Sequence, residues 1–441
     1  MSTVFLIKAF QLLLSLAILV VLHELGHFIP AKLFKTKVEK FYLFFDWPYS
    51  LLKKKIGDTE YGIGIIPLGG YVKIAGMIDE SMDTEHLNKE PEPWEFRSKP
   101  AWQRLIIMLG GVTVNLILGF AIYMMVTFVW GKDIITSENL KDGFEVNEIM
   151  KPYGFSDGDK ILRVDGEPFE NVVDISKYLF LRDVSTVTVQ HVNGKIEKLT
   201  IPENIGHIMM ESGATNPFSP LVAPVIGEIV PNSLAEKFDF KANDRIVTIN
   251  DIELVKWQEL LPFLQDAKNE ELTFEILRDG SKIQKTVVLD DRSELGVYPK
   301  RPEISFTKIN YNLFESFSVG FDKAYWILSD YITQFEYVFT TKGITQLGGF
   351  GAIGSIFPAS WDWQRFWEST ALLSLILAFM NLLPIPALDG GHVMFLLYEV
   401  FSGRKPNDKF MEYAQMTGFL LLVSLVLFAN GNDVYLSLIH I

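Results

Sequence analysis

The chain has 441 residues, enough for roughly two to four folded units, and 49% of them are hydrophobic. This apolar content is high for a wholly soluble protein, so we expect a membrane-embedded part. The formal net charge of −14 argues against a nucleic-acid partner, which requires a basic face. Because cysteine is absent, disulfides and cysteine nucleophiles are excluded, and any metal site must use His, Asp, Glu or backbone oxygen.

Four stretches are long and apolar enough to span a membrane, which requires about 20 residues. They cover about residues 4–29, 104–130, 366–388 and 415–430. Lys and Arg collect in the short loops between them, as they do on cytoplasmic flanks, so both termini are expected on the extracytoplasmic side. Residues 131–365 would then form a large extracytoplasmic region.

The segment 311–340 is rich in Phe, Tyr and Trp and raises the question of a fifth span. Asp322, Lys323, Asp330 and Glu336 interrupt it at intervals that leave an apolar stripe. Because several charges in a bilayer core are costly, the pattern favours an amphipathic helix that lies against the membrane or the soluble domains.

The letters HELGH in the first span place His23 and His27 four residues apart. On a helix this spacing brings both imidazoles to one face, where they can share a tetrahedral Zn²⁺. Glu24 lies beside them, placed to take a proton from a zinc-bound water. A chance match is the alternative, since three fixed letters recur by accident. Two histidines and a glutamate are costly in an apolar spanning helix, however, and this favours the metal site.

A catalytic zinc needs a third protein ligand, and the stretch NLLPIPALDGGH at 381–392 offers Asp389. Pro384 and Pro386 interrupt the third apolar segment just before it. Such a break is tolerated at membrane depth only where the freed backbone groups line an enclosed or watered cavity. If the first and third spans run in the same direction, His23 and Asp389 reach similar depths near the cytoplasmic end.

The other polar candidates are expected to lie outside the ligand set. His392 is expected beside the ligands or at the membrane interface, and Glu399 further towards the cytoplasmic side. The remaining histidines stand in polar or terminal contexts and are expected to be ordinary surface residues: His86, His191, His207 and His440.

The region 131–305 contains an internal duplication. FSDGDKILRVDGEPF from residue 155 aligns with FKANDRIVTINDIEL from residue 240. Each copy predicts strands, a helix and a hairpin with Asn-Gly or Asp-Gly at its turn. The arrangement resembles two PDZ domains, which can add a chain end as an edge strand. The pair is expected to inspect or exclude a substrate's extracytoplasmic part, and a spacer is the alternative.

Several motifs follow one another along the chain: HELGH in the first span, GIGIIPLGGYVKIAGM at 62–77, FRSKPAWQRLIIMLGGVTVN at 96–115, the PDZ-like pair, and NLLPIPALDGG at 381–391. In this order and spacing they resemble the site-2 protease family of intramembrane zinc metalloproteases, especially its bacterial regulator-of-sigma-E protease type. The resemblance covers nearly the whole chain.

The resemblance implies roles for individual residues. His23, His27 and Asp389 match the family's zinc ligands, and Glu24 matches its catalytic glutamate. Asn381 matches an asparagine that holds the substrate backbone near the scissile bond.

The stretch 61–77 is similar to the family's membrane-associated β-hairpin, which presents an edge strand to the unwound substrate. Gly69, Gly70 and Tyr71 are its expected substrate-binding residues. A structural hairpin without this role is the alternative, because edge strands are common. The chain departs from the family at LGGFGAIG, where Phe350 replaces a proline of a turn and leaves its geometry open.

The expected fold class is a mainly α-helical polytopic membrane protein with four transmembrane helices, a cytoplasmic-side β-hairpin and two extracytoplasmic PDZ-like α+β domains. The two halves of the membrane protease domain are expected at 1–130 and 366–441. The regions between them are the PDZ-like domains at 131–218 and 219–305 and an amphipathic helix with a Gly-rich connector at 306–365.

The expected function is zinc-dependent hydrolysis of peptide bonds within transmembrane segments of single-pass proteins, in a bacterial inner membrane. The resemblance implies an anti-sigma factor or a signal-peptide remnant as substrate, with the lipid bilayer as the other partner. Two other classes of protein are the alternatives. A membrane-tethered PDZ scaffold would not need the four-residue cluster, and a metal transporter would need polar residues along a continuous path.

Overall fold

The computed structural model describes residues 3–67, 69–77, 90–267, 270–289, 294–344 and 347–439. The chain divides into two compact units. One comprises Met1–Gly131 and Asn310–Ile441 and is mainly helical, and the other comprises Lys132–Ile309 and contains most of the strands.

The helices and strands are numbered separately in chain order. The helices are α1 (Thr3–Leu33), α2 (Ala101–Trp130), α3 (Ile175–Leu181), α4 (Ile205–Ser212), α5 (Leu234–Lys237), α6 (Leu260–Asp266), α7 (Leu313–Tyr337), α8 (Thr341–Ile344), α9 (Phe350–Ser355), α10 (Trp363–Leu382), α11 (Asp389–Ser402) and α12 (Asp408–Ile439). The strands are β1 (Val38–Leu43), β2 (Phe45–Ile56), β3 (Thr59–Ile66), β4 (Tyr71–Ile74), β5 (Lys132–Ile134), β6 (Phe144–Val146), β7 (Lys160–Val164), β8 (Glu167–Pro168), β9 (Thr186–Gln190), β10 (Ile196–Thr200), β11 (Phe218–Pro220), β12 (Ile226–Ile229), β13 (Arg245–Ile249), β14 (Ile252–Glu253), β15 (Glu271–Arg278), β16 (Ser281–Val288), β17 (Val297–Pro299) and β18 (Thr307–Ile309).

Among the described helices, three are long and apolar enough to cross a membrane: α1, α2 and the Lys409–Tyr435 part of α12. Their most apolar stretches have mean hydropathies of 2.5, 2.4 and 1.6. They overlap the predicted spans at 4–29, 104–130 and 415–430.

The predicted span at 366–388 corresponds to α10, which is not among these three helices and ends at Leu382, before the two prolines. Gln364, Arg365 and Glu368 make its first two turns polar. Much of its length is buried, because it packs against α2 and α1. Protein therefore covers this helix over much of its surface, and a lower hydropathy suffices.

The helical unit also contains a four-stranded sheet, in the order β2-β3-β1-β4. β2 and β3 form an antiparallel hairpin around Gly57 and Asp58, β3 runs parallel to β1, and β4 runs antiparallel to β1 at the sheet edge. The sheet packs against α1 through β1 and β4.

The prediction of a hairpin at 61–77 is wrong in its strand pairing. The two strands in that stretch, β3 and β4, are not neighbours, because β1 lies between them. Gly62 permits this arrangement: a Cβ there would lie 2.3 Å from Cε1 of Tyr42, whose ring occupies that space. The predicted edge strand is present as β4.

Helix α7 lies within the segment 311–340 and has one buried face. Ser316, Gly320 and Ala324 follow one another at four-residue spacing and are buried. A Cβ on Gly320 would lie 2.5 Å from Cα of Met124, so α7 and α2 approach closely. As the amphipathic interpretation predicts, α7 is absent from the helices apolar enough to cross a membrane among the residues searched.

Helix α9 begins at Phe350, where the sequence departs from the resembled turn. The Phe350 N–H donates to Asn430 Oδ1 at 3.1 Å, and the Gly351 N–H donates to Asp433 Oδ2 at 2.9 Å. Proline has no N–H, so the first of these bonds requires the departure. Residues of α12 thus cap the amino-terminal end of α9.

The second unit contains one arrangement twice, which confirms the internal duplication. Its sheets have the orders β10-β9-β7-β8 and β14-β13-β15-β16. β7 and β13 begin at Lys160 and Arg245, an offset of 245 − 160 = 85, and the same offset separates β9 from β15 and β10 from β16. Each copy has its own hydrophobic core, one from Ile135 to Phe218 and one from Ile226 to Leu295.

Candidate metal centre

Three side chains from two helices converge within the helical unit. Nε2 of His23 and Nε2 of His27 lie 3.2 Å apart on α1. Oδ2 of Asp389, at the start of α11, lies 3.2 Å from the first nitrogen and 3.4 Å from the second. Ligand atoms on a tetrahedral zinc, each 2.0–2.1 Å from it, are about 3.3 Å apart. The three atoms therefore have the separations of ligands that share one ion.

The chain break before α11 places Asp389. α10 ends at Leu382, and the two prolines that follow cannot continue it. α11 then begins directly against this turn: a Cβ on Gly390 would lie 2.1 Å from Leu383 O, and one on Gly391 would lie 2.6 Å from Ile385 O. Only glycine permits this close approach. The approach turns Asp389, the first residue of α11, towards the histidines.

Helix α2 orients both imidazoles. His27 Nδ1 is 2.8 Å from the Ile107 carbonyl oxygen, which can only accept a hydrogen bond, so Nδ1 carries the proton and Nε2 presents its lone pair. The Asn115 carboxamide nitrogen, Nδ2, is 3.2 Å from His23 Nδ1. Its Oδ1 is buried, and no described residue donates to it. A half-turn of the carboxamide exchanges Nδ2 and Oδ1; Oδ1 then accepts the Nδ1 proton and is satisfied, and His23 Nε2 also presents a lone pair.

Gly111 leaves room for the two rings. A Cβ at this position would lie 2.4 Å from His27 Nε2 and 2.6 Å from His23 Cε1. One turn away, a Cβ on Gly110 would lie 1.9 Å from Gly26 O, so α1 and α2 are in backbone contact beside the histidines.

The electrostatics of the cluster fit a cation. Asp389 Oδ2 is buried, and no described residue donates a hydrogen bond to it. With the imidazoles oriented as above, three acceptor atoms face one another with no proton between them. Buried acceptors in such an arrangement are unfavourable unless a cation lies among them. His23, His27 and Asp389 also form the one group of metal-ligating side chains found among the described residues.

Glu24 is buried beside the three groups without belonging to them. The backbone N–H of Val72, on edge strand β4, faces its carboxylate. Gly70 lies next to it: a Cβ there would lie 3.6 Å from Glu24 Cγ but only 2.6 Å from Val20 Cγ1 and Tyr42 O. The glutamate thus lies between the histidines and the edge strand.

A cavity of about 370 Å³ joins these elements. It is lined by most of the predicted site residues: His23, Glu24, His27, Gly70, Tyr71, Asn381 and Asp389. Gly69 is not part of the lining. It lies against the Phe45 ring, and a Cβ on Gly69 would be 3.2 Å from the nearest ring carbon. No hydrogen bond from a described residue reaches the Asn381 carboxamide, which therefore remains available within the cavity.

The Tyr71 hydroxyl is committed to protein partners. It donates to Asp46 Oδ1 at 2.9 Å, and Lys40 Nζ donates to it at 3.3 Å. Its ring stacks on Tyr42 and Phe45. Burial and the Asp46 carboxylate both raise the pKa of Tyr71 above the ordinary tyrosine range, so the hydroxyl stays protonated. The tyrosine side chain therefore supports the edge strand.

The other polar candidates lie outside the cluster, as predicted. His392 Nε2 is 2.8 Å from Gln415 Nε2, and Glu399 pairs with Arg104 at 2.5 Å. His207 is exposed, whereas His191 is not the ordinary surface histidine we expected. Its Nδ1 lies 2.7 Å from Oδ1 of the buried Asp159. His86 and His440 lie outside the described residues.

Comparisons with known proteins identify relatives of this chain. The chain is 28% identical to the regulator of sigma-E protease RseP of Salmonella typhimurium, over 96% of this chain and 97% of that protein. It is 27% identical to the protein of that name from Escherichia coli K12, with the same coverage. It is 28% identical to protease RseP of Yersinia pestis, over 98% and 99% of the two chains. The model of peptidase family M50 matches residues 11–425. The chain belongs to peptidase family M50, a family of zinc metalloproteases.

Proposed function

We propose that the chain is an intramembrane zinc metalloendopeptidase that hydrolyses peptide bonds within transmembrane segments of single-pass membrane proteins. The observation that carries the proposal is the convergence of three acceptor atoms beside Glu24, in a cavity that an edge strand borders. The helix that carries both histidines, α1, and the helix that orients them, α2, are both apolar enough to cross a membrane.

In this proposal His23, His27 and Asp389 hold the zinc ion. A bound Zn²⁺ polarises a carbonyl group and lowers the pKa of water. Glu24 accepts the proton of the attacking water and passes it to the leaving amine. The Val72 N–H, which faces its carboxylate, favours an orientation of Glu24 towards the strand that would carry the substrate.

A helical substrate hides its carbonyl groups in its own hydrogen bonds, so it must be extended before it is cut. β4 pairs with β1 on one side only and can accept the substrate as a further strand on the other. Gly70 lets this edge approach α1 closely, and Gly69 continues the same segment. The unpaired carboxamide of Asn381 can bind the substrate backbone from the opposite element, α10.

We place the protein in a bacterial inner membrane with four spans, α10 being the protein-covered one, and with the site near the cytoplasmic side. The duplicated unit would then be extracytoplasmic and act as a pair of PDZ-like domains that inspect or exclude substrates. The relatives are named as regulators of sigma-E. By that likeness we propose an anti-sigma factor or a signal-peptide remnant as the substrate.

The test is cleavage of a tagged single-pass substrate by the reconstituted full chain, with zinc measured in each variant. Glu24→Gln should lower the cleavage rate about 10²- to 10⁴-fold and keep zinc, because only the proton acceptor is lost. Asp389→Ala should lose both cleavage and zinc. Glu138→Gln, an exposed glutamate of the other unit, is the matched control and should cleave normally. Cleavage that persists in both site variants, or a parent protein without zinc, would contradict the proposal.

A further inference from the structure

The β2–β3 hairpin exposes much of its apolar surface. Trp47, Tyr49, Leu51, Leu52 and Ile56 are between 57% and 75% exposed. Five large apolar residues along one strand form a patch that a water-soluble surface rarely tolerates. The hairpin therefore requires an apolar environment or a partner.

Lys53, Lys54 and Lys55 stand in the same strand and are also exposed. No described residue pairs with their ammonium groups. The hairpin's acidic residues beyond this point are Asp58 in the turn and Glu60 across from Lys55. The Glu60 carboxylate already accepts a hydrogen bond from the Tyr42 hydroxyl at 2.6 Å. None of the three lysines forms an ion pair with a residue that the structure describes.

The two ends of the hairpin lie at different levels along membrane-spanning α1. Near the metal site, Phe45 packs against Gly69, and a Cβ on the adjacent Gly70 would lie 2.6 Å from Val20 of α1. At the other end, Lys32 in the last turn of α1 donates to Thr59 Oγ1 at 2.9 Å. β2 therefore runs from the level of the metal site to the end of α1, with residues 47–52 before the lysines, and at that end a membrane-spanning helix meets the headgroups.

We propose that this hairpin binds anionic phospholipid headgroups around the end of α1, with Lys53, Lys54 and Lys55 on the phosphates and the apolar residues among the acyl chains. From Trp47 to Lys55, the order of apolar and basic residues matches the change from acyl chains to headgroups. Consecutive strand residues point to opposite faces, so the three lysines present charge on both faces of the hairpin. A docked protein would cover one face, whereas a headgroup layer surrounds both.

Because the chain contains no cysteine, Leu51→Cys gives a unique position for a fluorophore on the full chain. The labelled protein is reconstituted in mixed phosphatidylcholine and phosphatidylglycerol vesicles, with brominated acyl chains on one lipid or the other. Brominated phosphatidylglycerol should quench the fluorescence at least about threefold more per mole than brominated phosphatidylcholine does, because each lysine near an anionic surface favours the anionic lipid. The preference should fall as salt is raised.

The charge variants separate lipid binding from simple insertion. Lys53→Gln/Lys54→Gln/Lys55→Gln should remove the preference, and the corresponding triple arginine variant should keep it. Lys141→Gln/Lys198→Gln/Lys308→Gln removes the same charge from exposed positions of the other unit and should leave the preference unchanged.

Equal quenching by both lipids in the parent, or a preference that survives the triple glutamine change, would overturn the proposal. So would a fluorophore shielded from both brominated lipids and aqueous iodide, since a second copy would then cover the hairpin. None of these readouts requires peptide hydrolysis, so the outcome is independent of the proposed function.

Discussion

The Asn115 carboxamide on α2 lies 3.2 Å from His23 Nδ1 on α1. A polar residue of the second apolar helix therefore sets the ring orientation of a candidate zinc ligand carried by the first. Ser374 on α10 donates to the backbone oxygen of Asn115 at 2.7 Å, so a third helix holds the asparagine.

Replacing Asn115 should weaken zinc binding without removing a ligand. Partners that orient a metal-bound histidine typically contribute 10- to 100-fold in affinity, so we expect Asn115→Ala to lower zinc affinity by about that factor. Competition with a chelator measures it. Thr127→Ala is the control, because Thr127 is buried in the same helix but bonds only Tyr123 O. Equal zinc affinity in Asn115→Ala and the parent would contradict this role.

Gly111→Ala should displace the histidines, because the new Cβ would lie 2.4 Å from His27 Nε2. Overpacking of this kind costs about 1–3 kcal/mol, so zinc affinity should fall about 5- to 150-fold. Gly431→Ala in α12 is the matched change, since a Cβ there meets nothing within 4 Å. Zinc content after dialysis against a weak chelator distinguishes the two, and equal retention would show that the rings do not need this space.

Gly70→Ala should reduce cleavage while zinc is retained. Its Cβ would meet Tyr42 O and Val20 Cγ1 at 2.6 Å and push β4 away from Glu24, at a cost of about 1–3 kcal/mol. Gly69→Ala is the comparison, because its Cβ would meet only the edge of the Phe45 ring, which can move. A cleavage assay should show a loss at least about fivefold larger for Gly70→Ala. Similar losses in both variants would argue against close approach of the strand.

The residues that could be predicted share local spacing. His23, Glu24 and His27 lie within one turn and a half of a helix, and a glycine pair after two prolines marks Asp389. Non-local pairing could not be predicted in this way. β1 separates β3 from β4 because Tyr42 occupies the space over Gly62, a contact between residues 20 apart in sequence.

Two other departures have the same origin. The pairing of His191 with buried Asp159 joins the end of β9 to the start of β7, and neither sequence context shows it. Asn115 did carry a signal, since an asparagine inside an apolar helix is costly and marks a functional position. Its partner could not be named from the sequence, because which residue of α1 it faces depends on how the two helices pack.

Asp46 and Lys40, which bond the Tyr71 hydroxyl, should make the position of the edge strand insensitive to pH near neutrality. Burial opposes the charge on Asp46, but hydrogen bonds from Lys40 and Tyr71 outweigh it and lower the pKa of Asp46 below 3.8. Burial likewise opposes the Lys40 charge, but Asp46 raises the pKa of Lys40 above 10.5. The stability that the Asp46 charge contributes to the folded state is present above pH 3.8 and is lost as the pH falls through the lowered pKa of Asp46. The stability that the Lys40 charge contributes is present below pH 10.5 and is lost as the pH rises through the raised pKa of Lys40.

Asp46→Asn should therefore lower cleavage by the same factor at every pH between about 5 and 9, where both groups are charged. The ratio of parent to variant rates across this range is the measurement. A ratio that changes with pH would mean that the pair titrates within it.

Breaking the buried pair of Arg104 and Glu399 should cost far more stability than breaking a more exposed inter-helix pair, Lys323 and Glu368. The Arg104 and Glu399 side chains are 9% and 14% exposed, against 33% and 31% for the second pair. Removing one partner of a buried pair leaves an uncompensated charge and costs about 3–5 kcal/mol, whereas a more exposed pair contributes about 0–1 kcal/mol. Glu399→Ala should lower the unfolding temperature in detergent markedly and Glu368→Ala only slightly. Equal shifts would show that water reaches Arg104, and the start of α11 at Asp389 would then lack this support.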